Sequence, residues 1–392
     1  MTLVFHLMKK EASGALQTVS RACDVLRAFR NETELLRLMD VASRVALDNA
    51  TTLRILRTLS TKGLVERIGR YEYRSRIRFV CQKQTRIGYA AQSTEFSFSR
   101  EVTDSVRQAA VREEIILVEV DNRYSRKAAI RNASLLIKEG VDLVMEFQTD
   151  EQIAPVISSM YQQAGIPVIA IEIPHPGATF FGANNFTAGV MGGRHLGRWV
   201  QENWKGQFEE VLLLELPRAG PLPASRLTGM LDGLRETVGP VPAAKVKRLN
   251  GNGQFSRSMD VVRRHIRMCA PRRTLIGAIN DPSAIGALRA FEEAGRSEYC
   301  AVIGQNASVE ARLEMRRPGS RLVGSVGYFP ERYGDVLMEM ALNLLEKKHV
   351  PPAVFVEHKL VTAENLHRFY PNDSFISPSE MDSLMLRRAA HS

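Results

Sequence analysis

The chain has 392 residues, of which 44% are hydrophobic and 24% are charged. This composition is typical of globular proteins and excludes a wholly disordered chain, and the length predicts two or three folding units. No segment reaches the roughly 18 consecutive apolar residues of a membrane-spanning helix, and the apolar N-terminal stretch is too short for a secretion signal, so we expect a cytoplasmic protein without membrane attachment.

The basic charge is concentrated near the N-terminus. Residues 1–84, which we call the head, carry 16 Lys and Arg against 8 Asp and Glu. Residues 85–392, which we call the body, carry 37 against 35. A small basic unit on a nearly neutral body is the charge distribution of a nucleic-acid-binding protein, although a solvated cationic surface would have the same composition.

The cysteines give no sign of a disulfide framework or a metal site. They are scattered, without Cys-x-x-Cys or Cys/His spacing, at Cys23, Cys81, Cys269 and Cys300. We therefore expect buried thiols and predict neither a metal nor a cofactor.

Three helices are predicted in the head from apolar residues spaced three or four positions apart. The first covers residues 19–29 and directs five side chains to one face: Val19, Ala22, Cys23, Leu26 and Phe29. The second covers residues 36–44. The third follows Asp48 or Asn49, either of which can cap it, and ends near Gly63, because glycine commonly terminates helices.

Two short alternating strands follow the third helix, at residues 64–68 and 71–75. The turn Gly69-Arg70 joins them, which predicts a hairpin or wing. Helix, helix, tight turn, helix and hairpin is the order of a winged helix-turn-helix. The segments SRACDVLRAF, ATTLRILRTLSTKGLVER and YEYRSRIRF resemble the DNA-binding head of the isocitrate-lyase-regulator (IclR) family over residues 18–80.

A head of this kind places the N-terminal half of its third helix in the major groove of DNA. The residues expected to face bases are Asn49, Ala50, Thr51, Thr52, Arg54 and Arg57. Asn can bind adenine, Arg can bind guanine, and the Thr methyl can contact thymine. Phosphate contacts are expected from Arg44, Arg67, Arg70 and Arg74. For each single residue, a solvated or capping role is the open alternative.

From Arg86 onward, short apolar strands alternate with helical stretches. One series has strands at residues 87–91, 115–120, 143–147 and 167–171, with helices such as 102–112 and 128–138 between them. A second series has strands at residues 211–216, 275–279, 301–303 and 322–324. The pattern predicts an α/β body of two lobes with parallel sheets and a ligand cleft between them.

The body also resembles a known family. The segments LLIKEGVDLVM, QQAGIPVIAIE, GANNFTAGVMGGRHLGRWV, ASRLTGMLDGL, AINDPSAIGALRAFEEAG and VIGQN are similar to periplasmic sugar-binding proteins of the ribose type and to the lactose-repressor sensor domain. The resemblance covers residues 85–365. It implies a type I periplasmic-binding-protein fold, with chain crossovers between lobes near residues 184, 328 and 352.

The same resemblance implies which residues contact the ligand. These are Thr94, Phe96, Glu172, Asn184, Arg226, Asn280, Asp281, Asn306 and Tyr328. Phe96 would stack on the ligand, Glu172 would accept from hydroxyls, and Arg226 would donate a fork of hydrogen bonds. The alternatives are that Asn184 and Asp281 cap helices, that Phe96 is core, and that Arg226 is a surface ion-pair partner.

The sequence departs from the family pattern at two of these positions and at the residue after Glu172. Ile173 stands where an arginine is common, and Asn184 and Asn306 stand where the family usually has aspartate. A cleft poor in carboxylates leaves a modified sugar, an acidic sugar or another polar metabolite open. The short hinge helix of lactose-repressor relatives is not evident in residues 76–85.

The expected function is that of a DNA-binding transcription regulator. It would act as a homodimer, and a small-molecule effector, a sugar or sugar derivative, would control its affinity for an operator. An enzyme is not expected, because the sequence lacks a P-loop, a dinucleotide fingerprint and a GxSxG motif. Two alternatives remain: a body that only dimerises the DNA-binding heads, and a sugar-binding protein that is not exported.

Overall fold

The computed structural model describes residues 16–29, 34–76 and 84–375. The chain divides into two compact units, residues 1–84 and residues 85–392. These are the head and the body, and each is described by itself below.

The head is a winged helix-turn-helix, as predicted. Its helices are α1 (Gln17–Arg27), α2 (Leu38–Val45) and α3 (Asn49–Thr61). Its strands are β1 (Leu36–Arg37), β2 (Val65–Arg67) and β3 (Glu72–Ser75), which form an antiparallel sheet in the order β1-β3-β2. The predicted hairpin is therefore β2 and β3, and the short strand β1 was missed.

Helix α3 begins and ends where the sequence indicated. Of the two candidate caps, Asp48 is the one used, and its side chain accepts a hydrogen bond of 2.8 Å from the backbone N–H of Thr51. Gly63 follows the helix with a φ of +72°, a left-handed conformation that glycine adopts without steric cost.

The apolar face predicted for α1 is partly wrong. Val25 and Phe29 are buried in the head core, and Ala22 and Leu26 pack against it. Val19 and Cys23 are exposed instead. The core side chains of α1 come from its C-terminal part and the residues just after it, so the turn carrying Val19 extends beyond the core.

Among the cysteines that the structure describes, the prediction of buried thiols holds for one. The three described cysteines are free; Cys300 is buried, Cys269 is half-buried and Cys23 is exposed. Cys81 lies outside the described residues.

The body consists of two lobes, each built on a six-stranded sheet. The first-lobe sheet has the order β14-β8-β7-β6-β4-β5, and the second-lobe sheet has the order β10-β9-β11-β12-β13-β15. All neighbouring strands are parallel except β13 and β15. The first sheet comprises β4 (Arg86–Ala91), β5 (Ile116–Asp121), β6 (Leu143–Glu146), β7 (Val168–Ile171), β8 (Thr179–Gly182) and β14 (Ala353–Phe355). The second comprises β9 (Glu210–Glu215), β10 (Val246–Asn250), β11 (Thr274–Ala278), β12 (Cys300–Asn306), β13 (Leu322–Gly327) and β15 (Lys359–Val361).

All eight strands predicted for the body are present. The four that were missed are β8, β10, β14 and β15, of which the last three are edge strands. Edge strands are covered on fewer sides, so their sequences carry a weaker apolar signal.

Helices cover both faces of the sheets, as expected for an α/β fold. They are α4 (Ser97–Arg112), α5 (Arg126–Lys138), α6 (Ala154–Gln163), α7 (Asn185–Trp204), α8 (Pro221–Val238), α9 (Phe255–Arg267), α10 (Asp281–Glu293), α11 (Val309–Arg316), α12 (Tyr333–Leu345) and α13 (Leu366–Phe369). Within the described ranges, none of the helices combines the length and apolar character required to cross a bilayer.

The chain passes between the lobes three times. The first passage joins β8 to α7, the second joins β13 to α12, and the third joins β14 to β15. The third lies at residues 356–358, a few residues later than the position expected near 352, because Ala353–Phe355 first adds a strand to the first-lobe sheet.

Glycines allow α7 and α8 to pack with their backbones in close contact. A Cβ atom on Gly189 would lie 2.0 Å from the carbonyl oxygen of Arg226, and one on Gly193 would lie 2.0 Å from that of Met230. Real Cβ atoms do not approach backbone so closely, so the two helices meet at this distance only because these positions lack side chains.

We expect Gly189→Ala to lower the free energy of unfolding by about 1–3 kcal/mol, the usual effect of an overpacked core, and to displace the backbone that carries Arg226. Gly192→Ala on the same helix is the matched control, because its Cβ would meet side-chain atoms and no backbone, the nearest being Ile303 Cγ1 at 3.3 Å. Urea unfolding of both variants measures the difference. Equal stabilities would contradict the assigned packing.

Candidate ligand cleft and DNA-contacting helix

A cleft lies between the two lobes, beyond the carboxyl ends of their parallel strands. It encloses roughly 790 Å³ of empty space, including its open mouth. The first lobe contributes Gln92, Phe96, Ser97, Phe98, Tyr124, Phe147, Thr149, Glu172 and Ile173. The second lobe contributes Leu216, Ala219, Pro223, Arg226, Gly253, Ile279, Asn280, Pro282, Asn306 and Ser308. This volume fits a small metabolite.

Five of the nine residues predicted to contact a ligand line this cleft. They are Phe96, Glu172, Arg226, Asn280 and Asn306. Glu172, Asn280 and Asn306 lie at or just after the carboxyl end of a strand, and Phe96 lies at the start of α4. The carboxyl ends of parallel strands share one edge of a sheet, which is why residues distant in sequence meet here.

Arg226 is the central cation of the cleft. It extends from α8, is 7% exposed, and donates from Nε to Oδ1 of Asn185 at 2.8 Å and from Nη1 to the carbonyl oxygen of Ile279 at 2.8 Å. Its guanidinium carbon lies 5.0 Å from the centre of the Tyr328 ring. These contacts hold the guanidinium in one orientation before any ligand binds, and they leave Nη2 directed at Glu172, 3.6 Å from Oε2.

Glu172 is the partner of Arg226 in the first lobe. It follows β7 with a φ of +63°, and its Oε1 accepts a hydrogen bond of 2.7 Å from the hydroxyl of Tyr333. Burial raises the pKa of Glu172 above its ordinary value, and Arg226 and the Tyr333 hydrogen bond offset only part of that rise. By its geometry the Arg226–Glu172 ion pair joins the two lobes at the cleft, and both side chains are buried.

The two asparagines of the second lobe differ in how much of their hydrogen-bonding capacity is used. Asn280 caps α10 by accepting from the backbone N–H of Ser283 at 3.1 Å, and its Nδ2 donates to the carbonyl oxygen of Gly253 at 2.9 Å. Asn306 has a φ of +105°, and its carboxamide makes no hydrogen bond with the described residues. Asn306 is therefore the amide more available to a ligand.

Two predicted ligand contacts, Thr94 and Asn184, do not line the cleft. Both are exposed. The hydroxyl of Thr94 donates to Asp121 at 3.0 Å, and the side chain of Asn184 accepts from the backbone N–H of Thr187 at 3.2 Å, which caps α7. Asn185, one position later, is the residue that points inward and holds Arg226.

Asp281 and Tyr328 are also absent from the cleft lining, because both are fully buried beneath it. Asp281 accepts hydrogen bonds of 2.6 Å from the hydroxyl of Ser325 and 2.6 Å from the backbone N–H of Ser308, and burial raises its pKa to about 7. The Tyr328 hydroxyl donates to Gln305 at 2.8 Å. Both residues support the cleft from behind.

Sequence reasoning missed much of the first-lobe wall. Gln92 follows β4 and donates to the hydroxyl of Thr149, which follows β6, at 2.6 Å. Phe96 and Tyr124 meet edge to face with ring centres 5.1 Å apart. The available signal was that residues beyond the carboxyl ends of parallel strands face the cleft, as Gln92 does after β4, Tyr124 after β5 and Thr149 after β6.

The lobes also contact each other beside the cleft. The hydroxyl of Ser97 donates to Glu310 at 2.5 Å, and the hydroxyl of Tyr124 donates to the carbonyl oxygen of Asn252 at 3.3 Å. Arg218 of the second lobe lies 3.6 Å from Asp150 of the first. This conformation therefore has polar contacts that opening of the lobes would break.

In the head, the N-terminal half of α3 presents several side chains to solvent. Asn49, Ala50, Arg54 and Arg57 are exposed, and Thr51 is half-buried. The expectation that Thr52 faces bases is wrong: it is 0% exposed, and its hydroxyl donates to the carbonyl oxygen of Asp48 at 2.9 Å.

Of the four predicted phosphate contacts, three are held by other groups of the head. Arg44 donates to Glu34 at 2.9 Å, and this hydrogen bond raises its pKa. Arg74 donates to Glu66 at 2.9 Å, and Arg67 donates to the carbonyl oxygens of the turn. Arg70 is exposed, with its guanidinium 5.6 Å from the centre of the Tyr71 ring. Arg70 is therefore the one of the four whose guanidinium has no hydrogen-bond partner within the described ranges.

Comparisons with known proteins match this geometry. Residues 87–349 match the family model described as periplasmic binding protein domain, and residues 18–69 match the IclR helix-turn-helix domain. Among characterised proteins, the chain is 23% identical over 258 residues to the ribose import binding protein RbsB of Escherichia coli K12, covering 63% of this chain and 80% of that protein.

Solved structures agree on the fold of the body. A periplasmic solute-binding protein from Actinobacillus succinogenes 130z with bound D-allose has a TM-score of 0.63 at 18% identity, covering 73% of this chain and 100% of that one. A Caulobacter myo-inositol binding protein bound to myo-inositol has a TM-score of 0.63 at 20% identity, and the match covers 72% of this chain and 95% of that one. At these identities the likeness establishes the fold alone.

Proposed function

Because the chain belongs to the periplasmic binding protein family and joins this body to an IclR-type helix-turn-helix head, we propose that it is a transcription regulator whose operator affinity is controlled by a small polar ligand. The observation that carries the proposal is the buried Arg226–Glu172 pair, which comes from two lobes and meets in the cleft of a chain that also has a DNA-binding head.

The ligand we propose is a sugar or sugar derivative. Arg226 offers oriented N–H donors, Glu172 and Asn306 offer acceptors, and Phe96 and Tyr124 offer apolar ring surface. Alternating hydroxyls and C–H faces make a sugar complementary to such a mixture. The relatives named above bind D-allose and myo-inositol or import ribose, which supports a polyhydroxylated ligand.

We propose that the ligand acts by favouring the closed arrangement of the lobes. A ligand that touches both lobes stabilises the closed state by the difference between its contacts in the closed and open states. The coupling to DNA binding is then reciprocal, typically about 1–3 kcal/mol, or roughly five- to 150-fold in affinity. We further propose a homodimer that places two heads on a two-fold-related operator, since one head offers few base contacts.

A thermal-shift screen tests this function. We expect a neutral monosaccharide, a cyclic polyol or a sugar acid to raise the melting temperature of the full chain, because a ligand present at 100 times its Kd stabilises the folded state by about 2.7 kcal/mol. The same compound should change the affinity of the chain for a duplex selected from random DNA. If no compound does either, the result contradicts the proposal and favours a body that only dimerises the heads.

A further inference from the structure

The second lobe contains a segment whose net charge equals that of the whole head. Residues 245–273 hold nine Lys and Arg against one acidic residue, Asp260. The rest of the body holds 28 Lys and Arg against 34 Asp and Glu, so the near neutrality of the body conceals one strongly basic segment in an otherwise acidic unit. We call the face that carries Lys247 of β10 and Arg257, Arg264 and Arg267 of α9 the second-lobe basic face.

Helix geometry places these cations on one face. Arg257, Arg264 and Arg267 are exposed and lie seven and three residues apart on α9, while Val262 and Ile266 on the opposite side are buried in the core. Lys247 is exposed on the edge strand β10. Because side chains alternate along a strand, it lies on the same side of the sheet as Leu249, which packs against the core beneath α9.

The acidic residues around this face are already bound to other cations. Asp260 lies 2.9 Å and Glu293 2.7 Å from Arg263, and Glu215 lies 2.6 Å from Arg248. Within the described ranges, no carboxylate lies within ion-pair distance of Lys247, Arg257, Arg264 or Arg267.

Exposed arginines elsewhere in the body are commonly paired. Arg107 lies 2.7 Å from Glu119, and Arg235 lies 3.1 Å from Asp232. Solvated surfaces usually mix the two signs of charge. Helix α5 of the first lobe also carries a row of three exposed cations that are unpaired among the described residues, but the α9 row lies in a segment with nine basic residues against one acidic residue. Two copies of this chain would not pair through this face about a two-fold axis, since like charges would meet.

We propose that the second-lobe basic face binds the phosphate backbone of duplex DNA, as a contact additional to that of the head. Arg257 and Arg267 are ten residues apart on α9, or about 15 Å. One DNA strand carries about four phosphates over about 15 Å of the duplex axis. Planar guanidinium groups bind phosphate oxygens in pairs, so an arginine row suits this partner better than scattered lysines would. The inference rests on the proposed DNA-binding function.

The test compares two triple variants of the full chain on a long random-sequence duplex and on a selected operator duplex. The first variant is Arg257→Gln/Arg264→Gln/Arg267→Gln. The matched control is Lys127→Gln/Arg131→Gln/Lys138→Gln, which removes three exposed cations from α5 in the first lobe. Affinity is measured over a range of salt concentrations.

The affinity falls as salt rises, and each phosphate contact contributes about 0.9 to the steepness of log affinity against log salt. We expect the α9 variant, which lacks three such contacts, to have a slope shallower by about 2.7. The control variant should keep the wild-type slope. Equal slopes in the α9 variant and the wild-type chain would overturn the proposal. That is the result expected if the face instead binds an acidic protein. A wild-type chain with no preference for any selected duplex over random DNA would instead contradict the proposed function.

Discussion

We expect the Arg226→Ala variant to lose about 10- to 150-fold in ligand affinity while its binding to operator without ligand persists. Hydrogen bonds to a charged group each contribute about 1.5–3 kcal/mol, and Arg226 is the only cation that lines the cleft among the described residues. The head contains none of the contacts that the substitution removes, so DNA binding without ligand should be unaffected. Calorimetry with the compound identified by the thermal-shift screen measures the loss.

Controls separate ligand contact from folding. Arg235→Ala removes an arginine from the same helix, where it is exposed and paired with Asp232, and should leave ligand affinity unchanged. Arg226→Lys keeps the charge without the forked donors and should give an intermediate loss. Removing the cation also leaves Glu172 buried without its partner, so the pKa of Glu172 should rise further. A folded Arg226→Ala protein with wild-type ligand affinity would show that binding occurs elsewhere.

The second large effect is expected in the head. Arg54→Ala should reduce discrimination against the wrong base at one operator position by about 1–3 kcal/mol, or roughly five- to 150-fold. Arg54 is exposed on the N-terminal half of α3, and its guanidinium makes no hydrogen bond or ion pair with the described residues. Binding of the variant to a panel of single-base operator substitutions measures the change.

Two further head variants define the specificity of this result. Arg70→Ala should weaken binding to all sequences alike and lower the salt slope by about 0.9, as loss of one phosphate contact does. Thr52→Val should change stability without changing base preference, because the Thr52 side chain is buried. If Arg54→Ala lowered affinity for every duplex equally, Arg54 would be a phosphate contact and not a base contact.

Much of the fold could be predicted from local patterns. Periodicities of about 3.6 and 2 residues indicated the three head helices and the hairpin, because burial of one face imposes those periods. Short apolar runs indicated eight strands of the body, since strands covered on both faces are apolar throughout. Edge strands such as β10 and β14 escaped detection, since they are less covered. Only the contact of α7 with α8 shows that Gly189 and Gly193 must lack side chains.

The candidate cleft was predicted in outline and only partly in detail. The resemblance to sugar-binding proteins implied Glu172, Arg226, Asn280 and Asn306, all of which line the cleft. Asn184 and Asn185 are adjacent and chemically identical, yet one caps a helix in solvent and the other holds Arg226.

The sequence by itself determined the division of charge, the fold class and the strand ends at which a cleft forms, because these depend on composition and on periodic burial along the chain. Tertiary structure alone decided that Asn185 faces inward, that Asp281 and Tyr328 lie behind the cleft, and that Thr52 is buried in the head. It also decided that Lys247 lies on the side of its sheet covered by the arginine-bearing helix. The physical reason is that the direction of one side chain depends on backbone angles at a junction and on what packs against it, and neither is encoded in a local pattern.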